Sequence, residues 1–452
     1  MPTPQQRQEL VKRLHDSEKQ LVLATTGGGS CAISDLLSEP GASKTVLEAH
    51  IPYSFEALTR FVGQVPVQAC SSHTARLLAM ACFRLGQETL EKKGLPDDYV
   101  GFNDYRVPVR RKRVFDPQGI NCFEIDGDDI VSYHDKTWCF NLIGLGCTAS
   151  LASDRPKRGE HRFHISIQLY DQTIVYSLVL KKGARTRNEE ERLVADCILK
   201  LLADTAKIET EFPLPLLPGE EMQHTRTIAD ESWIELLLGN VIAILCIEGD
   251  TIFVKKAEDL GKPLISESRP ISPEAEYMHN IFAGSFAPIH HGHLRMIELA
   301  QKRLCGKIAL EMAVRNVDKA PLDYMEIETR LRQIEQVSPG QAVWLTRMVQ
   351  FIDKSCLFRN ATFLVGADTL RRIGDQKYSG NNHSFLVENL RRITYNGCRF
   401  LVFARPYKGG VENLHTLTIP DMLRSLSEEV PESEFCDDIS STAIREQGTD
   451  ES

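Results

Sequence analysis

The chain has 452 residues, more than one hydrophobic core usually organises, so two or three domains are expected. Hydrophobic residues make up 42% and charged residues 25%, with 29 Gly and 21 Pro, which excludes a disordered, collagen-like or low-complexity chain. A formal charge of -9 excludes a general binder of nucleic-acid phosphates and leaves room for a local anion site.

Met1 to Lys19 is polar with mixed charge and no apolar core, so it predicts an amphipathic helix carried by Leu10, Val11 and Leu14, not a signal peptide. Apolar Leu21–Ala24, a helical stretch near Ala32–Leu37, apolar Val46–Tyr53 and a long helix over Thr74–Leu90 then alternate, which suggests a layered α/β domain. Gly94–Lys136 breaks the rhythm with basic Arg110–Arg113, acidic Glu124–Asp129 and three prolines, and is expected as an insertion or hairpin excursion. Its basic run resembles a nuclear-localisation signal, but in an acidic chain an exposed hairpin is favoured. Cys139–Gly146, Arg162–Gln168, Thr173–Leu180 and a helix over Asn188–Thr205 complete a first domain, residues 1–210.

Glu211–His224 carries three prolines and disfavours both helix and central strand. With a helix at Ala229–Leu238, two short strands around Gly249 and the Pro/Ser-rich Lys262–Pro273, residues 211–276 are expected as a linker and small connector. The apolar stretch Trp233–Ile247 is broken by Glu235, Gly239 and Asn240 and falls short of the ~20 residues a membrane span needs. No membrane partner and a cytoplasmic location follow as expectations. So do reduced, buried thiols, because the 12 cysteines lie singly with no C-x-x-C, and no metal site is expected.

From residue 277 to 452 strands and helices alternate again: Asn280–Ala283, His291–Leu304, Lys307–Val314, Asp323–Gln336, Thr362–Val365 and Arg399–Phe403, the pattern of a doubly wound parallel sheet. Where the first strand turns into its helix stands Gly284-Ser285-Phe286-Ala287-Pro288-Ile289-His290-His291-Gly292-His293. Gly284 permits close backbone approach, the helix start offers N–H groups to an anion, and His290 and His293 share one face. The same residues also fit a Gly turn with surface histidines, or a metal site. Near the C-terminus, Ile439-Ser440-Ser441-Thr442-Ala443-Ile444-Arg445 places hydroxyls at a helix N-cap and an arginine one turn in, suited to oligophosphate oxygens or to ordinary capping.

Together the two segments resemble the signatures of the HxGH nucleotidyltransferases, and the second resembles nicotinamide/nicotinate mononucleotide adenylyltransferases, over Tyr277–Gln447. The resemblance implies a Rossmann-like domain that transfers the adenylyl group of ATP to a phosphorylated acceptor, with Mg²⁺ accompanying the ATP. By it, His290 and His293 contact the ATP phosphates and Arg445, Ser440 and Ser441 the β/γ end. Thr442 belongs to the same signature, while Gly284, Ser285, Phe286 and Gly292 form the nucleotide loop. Gly366 and Asp368 lie at the nucleoside, and Arg405 lies near the nucleotide. Ala287 stands where bacterial members usually carry Asp and animal ones Asn. Transfer to another acceptor, cytidylyl transfer, and a weakly active nucleotide-binding regulator are the alternatives. Arg315–Lys319 could border the acceptor, though a charged loop is favoured.

In the first domain Thr25-Thr26-Gly27-Gly28-Gly29-Ser30, Pro40–Ser43 and Tyr53–Leu58 resemble the CinA C-terminal family of nicotinamide-nucleotide amidases. Thr26 falls on the family's serine nucleophile and Leu58 on its lysine. An apolar Leu58 cannot activate a hydroxyl, so a retained CinA-like α/β fold without hydrolysis is expected. Arg155, Lys157, Arg158, Lys181, Lys182 and Arg185 offer a phosphate-sized positive patch or a solvated charged loop, and His161 with His164 are too few for a metal. The partners expected are ATP and a small phosphorylated acceptor, not nucleic acid, and a homo-oligomer is compatible with the sequence.

Overall fold

The computed structural model of the chain describes residues 2–92, 111–115, 121–125, 137–154, 158–256, 276–315, 320–407 and 410–435. It divides into two compact units, one of Met1–Ser54, Cys70–Tyr170 and Val175–His224, the other of Phe55–Ala69, Asp171–Ile174 and Thr225–Ser452. Among the described residues no helix is long and apolar enough to cross a membrane.

The chain opens on α1 (Pro4–His15), where Thr3 and Gln6 cap each other's backbone N–H and Leu10, Val11 and Leu14 form the buried stripe. β1 (Gln20–Thr26), α2 (Ser30–Ser38), the short α3 (Ala42–Thr45) and β2 (Val46–His50) follow, the two strands pairing in parallel. Next come α4 (Phe55–Val62), which belongs to the second unit, and α5 (Ser72–Lys92). β3 (Arg111–Phe115) and β4 (Asn121–Ile125) form an antiparallel hairpin inside the expected excursion, most of which lies outside the described residues. β5 (Leu142–Ser150), β6 (His161–Gln168), β7 (Gln172–Leu180), α6 (Arg187–Thr205) and β8 (Gln223–Ile228) complete a six-stranded sheet ordered β2-β1-β5-β6-β7-β8. β5 runs parallel to β1, and β6 turns back antiparallel, giving a mixed sheet. Leu21, Leu23, Leu145, Phe163 and Ile165 on one face share a core with Leu10 and Leu14 of α1 and Val194 and Ile198 of α6.

The second unit contains α7 (Glu231–Leu238), β9 (Val241–Ile247), β10 (Asp250–Lys256), β11 (Asn280–Ala283), α8 (His291–Gln301), β12 (Ile308–Ala313), α9 (Tyr324–Val337) and β13 (Val343–Thr346). There follow α10 (Phe351–Leu357), β14 (Thr362–Gly366), α11 (Ala367–Ile373), α12 (His383–Tyr395), β15 (Arg399–Phe403), β16 (Arg405–Tyr407), β17 (Gly410–Glu412), α13 (Asp421–Ser425) and β18 (Ser427–Val430). The main sheet is ordered β10-β9-β13-β12-β11-β14-β15-β18, and the six strands from β13 to β18 are mutually parallel. Numbered by their own sequence these six run 3-2-1-4-5-6, the doubly wound order. β9 and β10 were expected in a separate connector. Instead β9 pairs antiparallel with β13 and extends the sheet, because its run Val241–Cys246 is buried and needs cover on both faces.

Candidate active site

In the 3-2-1-4-5-6 order the chain leaves β11 toward β12 on one side and later returns to β14 on the other, opening a crevice at the carboxyl ends of these two neighbours. The Gly284 N–H continues the ladder by donating to the Glu311 carbonyl at 2.9 Å, and the loop from Ser285 then delivers the chain to the N-terminus of α8. His290 is the N-cap of that helix, and its N–H donates to Nδ1 of His293 at 3.2 Å. The two imidazoles stack with centroids 3.7 Å apart, and each residue is 8% exposed. Burial first, then neighbouring His290 and Arg405, lowers the His293 pKa to about 3, so its ring is neutral near pH 7. Since Nδ1 accepts, the proton of the neutral ring resides on Nε2.

Gly366 closes β14 and starts α11. A Cβ placed there would stand 2.6 Å from Asp368 Oδ1 and 3.0 Å from Arg405 Nε, which shows how closely these two side chains lie over the strand end. Arg405 also reaches Met296 Sδ of α8 at 3.7 Å. Thus His290, His293, Gly366, Asp368 and Arg405, drawn from sequence positions more than a hundred residues apart, converge at the switch point. Ser285 is exposed and Gly292 is buried in the first turn of α8. Phe286, expected in the nucleotide loop, lies in the loop before α8; the residue is 1% exposed and its ring is part of the core beneath that loop. Ser440, Ser441, Thr442 and Arg445 lie outside the described residues, as do 316–319.

Sequence inspection did not single out Arg330, which donates to the Ser285 carbonyl at 2.8 Å and to Glu326 at 2.9 Å, so α9 pins the loop. Its only signal was an i,i+4 spacing from Glu326, common on any exposed helix. Also missed was Glu311, fully buried in β12, which accepts from Thr346 at 2.6 Å and pairs with Lys354. A lone acid inside an apolar strand was the available signal.

In the first unit Thr26 ends β1, pairs in register with Thr148 and is 8% exposed. The glycine turn after it adopts left-handed φ at Gly27 and Gly29, where a side chain on Gly27 would overlap the Ala149 carbonyl. The N-terminus of α2 is already engaged. Glu191 accepts from the Gly29 N–H at 2.9 Å, the Ser30 hydroxyl at 2.9 Å and the Cys31 N–H at 3.2 Å, while Arg187 donates to the Gly27 carbonyl at 2.7 Å. Leu58 is a buried apolar residue of α4, in the second unit.

The positive patch expected around Arg185 does not form as drawn. Arg185 makes a bidentate pair with Glu220 at 2.6 and 2.7 Å and also donates to the Pro215 carbonyl. Arg155 and Lys157 lie outside the described residues, while Arg158, Lys181 and Lys182 are exposed. His161 pairs with buried Glu190 at 2.7 Å, and His164 with Ser177 at 2.7 Å. Among the described residues no group of three His, Cys, Asp or Glu is arranged to hold a metal.

A doubly wound α/β unit with histidines, an arginine and a carboxylate at its switch point is the class that fold and geometry define. Residues 281–447 match the family described as cytidylyltransferase-like, so the chain carries a domain of that kind, which supports nucleotidyl transfer. The crystal structure of the competence/damage inducible protein CihA from Agrobacterium tumefaciens is similar at 13% identity over 45% of this chain and 98% of that one, with a TM-score of 0.29. No curated protein matches the chain.

Proposed function

We propose that the second unit transfers the adenylyl group of ATP to nicotinamide or nicotinate mononucleotide with release of pyrophosphate. The observation that carries the proposal is the convergence of His290, His293 and Arg405 at the strand switch point, with Asp368 beside them. A phosphate oxygen of the acceptor attacks the α-phosphorus of ATP, and the bond from that phosphorus to the bridging oxygen breaks as pyrophosphate leaves. No protein nucleophile is needed, so the residues act by alignment and by stabilising charge on the phosphoryl oxygens. His293 donates a hydrogen bond from Nε2, the N-terminus of α8 adds its N–H groups, and Arg405 adds fixed positive charge. Arg445, Ser440 and Ser441 are assigned to the β/γ end by the ISSTAIR motif. Mg²⁺ enters as part of the substrate, held by ATP phosphates and water.

The choice of ATP over CTP rests on that motif, and the choice of acceptor on the same resemblance. A screen of pyrophosphate release with ATP or CTP against both mononucleotides and other phosphorylated acceptors tests both. Release with ATP and either mononucleotide is expected. Release with CTP instead would move the enzyme to cytidylyl transfer, and binding without release in every pair would make the domain a nucleotide-responsive regulator.

A further inference from the structure

The loop before α8 contains a residue whose backbone and side chain are both unusual for its type. Phe286 has φ +46°, a left-handed conformation that L side chains other than Asn and Asp seldom take. Its ring folds back over Gly284, where an added Cβ would meet ring carbons at 2.8, 3.0 and 3.2 Å. There it stands edge-on to Phe282 at 5.3 Å and to His293 at 5.2 Å, between the first strand and the imidazole. His293 is therefore enclosed by the stacked His290 ring, by Phe282 at 5.7 Å and by Phe286, with Nδ1 taken by the His290 N–H.

We propose that Phe286 is a positioning residue: its ring packs His293 into one orientation and keeps it a neutral Nε2–H donor to a phosphoryl oxygen. This rests on the nucleotidyl-transfer assignment for its consequence, but not for its geometry. Aromatic edges against an imidazole exclude water and supply no counter-charge, while neighbouring His290 and Arg405 both disfavour its protonation. Opening the Phe286 side to water weakens the burial that chiefly holds the ring neutral, although Phe282 and His290 still cover its other sides.

The test uses the full chain. In Phe286→Ala, NMR titration of the His293 imidazole should show proton uptake moving up from about 3 toward the ordinary 6.5. Pyrophosphate release should fall about tenfold or more with KM for ATP little changed. Gly284→Ala, which displaces the ring without removing it, should move the His293 titration in the same direction, and Phe286→Leu should fall between. In a His293→Ala background the Phe286→Ala substitution should cost less than about twofold. An unchanged His293 titration in folded Phe286→Ala protein, or an equal cost with and without His293, overturns the proposal. The titration needs no substrate, so it decides the matter even where no acceptor is turned over.

Discussion

His293 accepts a backbone N–H through Nδ1 and remains uncharged well below neutral pH, so its contribution to phosphoryl transfer is a hydrogen bond from Nε2, not a fixed positive charge. Replacing it by Ala should lower nucleotidyl transfer by roughly 10² or more, the usual loss for one preorganised donor, with the fold intact. Turnover within threefold of wild type would remove His293 from the mechanism. The same lowered pKa fixes a sign for stability. Between about 3 and 6.5 the unfolded chain takes up a proton at this residue that the folded chain does not, so the second unit should lose stability as pH falls below 6.5. His164, brought down to about 4 by burial and then Arg162, acts in the same direction in the first unit. Urea midpoints between pH 4 and 8 for wild type and His293→Gln should differ in slope below 6.5. Arg445 carries a separate expectation: if it faces the leaving pyrophosphate, Arg445→Ala should weaken ATP binding or turnover while mononucleotide affinity, read by calorimetry, stays nearly unchanged. The paired histidines were legible in the sequence because their three-residue spacing follows a short strand and a glycine. Arg330 and the buried Glu311–Lys354 pair were not, since a helical Glu-x-x-x-Arg and a single acid carry no mark of what they touch across the fold.

At the level of elements, the longest and most periodic segments were legible. The helix predicted from Leu10, Val11 and Leu14 is α1, and the strand-glycine-helix passage at residues 280–301 is β11 and α8. The short parallel strands β13 and β18 were not: β13 is a four-residue buried run with no period to distinguish it, and β18 reads Ser-Glu-Glu-Val, with a single buried residue and no apolar run at all. β8 was hidden by the prolines just before it. That proline-rich stretch, Glu211–His224, packs Phe212, Leu214, Leu216 and Met222 on the core and carries one ion pair that charge counting misassigned. Burial pushes the Glu220 carboxyl up, but the Arg185 guanidinium and the N–H groups of Leu217 and Lys181 outweigh it and bring the carboxyl down to about 2. A carboxylate held below its ordinary value of 4.5 stabilises the fold above that pH and loses its contribution as pH falls toward 2. Glu220→Gln should therefore lower stability at pH 7, where it leaves Arg185 without its charge partner, and flatten the acid limb between pH 4.5 and 2. An unaltered acid limb in thermal melts would show that Arg185 and Glu220 do not govern the segment.

At the scale of the whole molecule the chain joins a nucleotidyltransferase-like unit to an α/β unit whose own glycine turn resembles that of nicotinamide-nucleotide amidases. The doubly wound order of the second unit follows from alternation of strands and helices that the sequence displays. The division of the first 224 residues does not, since Phe55–Ala69 and Asp171–Ile174 are grouped with the second unit, and packing across such distances leaves no periodic trace. What the first unit does turns on its glycine turn. An amidase needs an activated nucleophile; Thr26 has a buried position beside Thr148, and in the sequence an apolar residue, Leu58, falls on the lysine of the resembled motif. The helix start that a substrate anion would use already satisfies its N–H groups on Glu191, and displacing that carboxylate would leave it to find new partners. The full chain given nicotinamide mononucleotide should therefore release no ammonia above background, and Thr26→Ala should change nothing. Ammonia release that disappears with Thr26→Ala would instead make the protein bifunctional, with Thr26 as the nucleophile of the second activity. The full chain is the right material, because a fragment ending at Leu216 would discard Glu220 and leave Arg185 without its carboxylate partner.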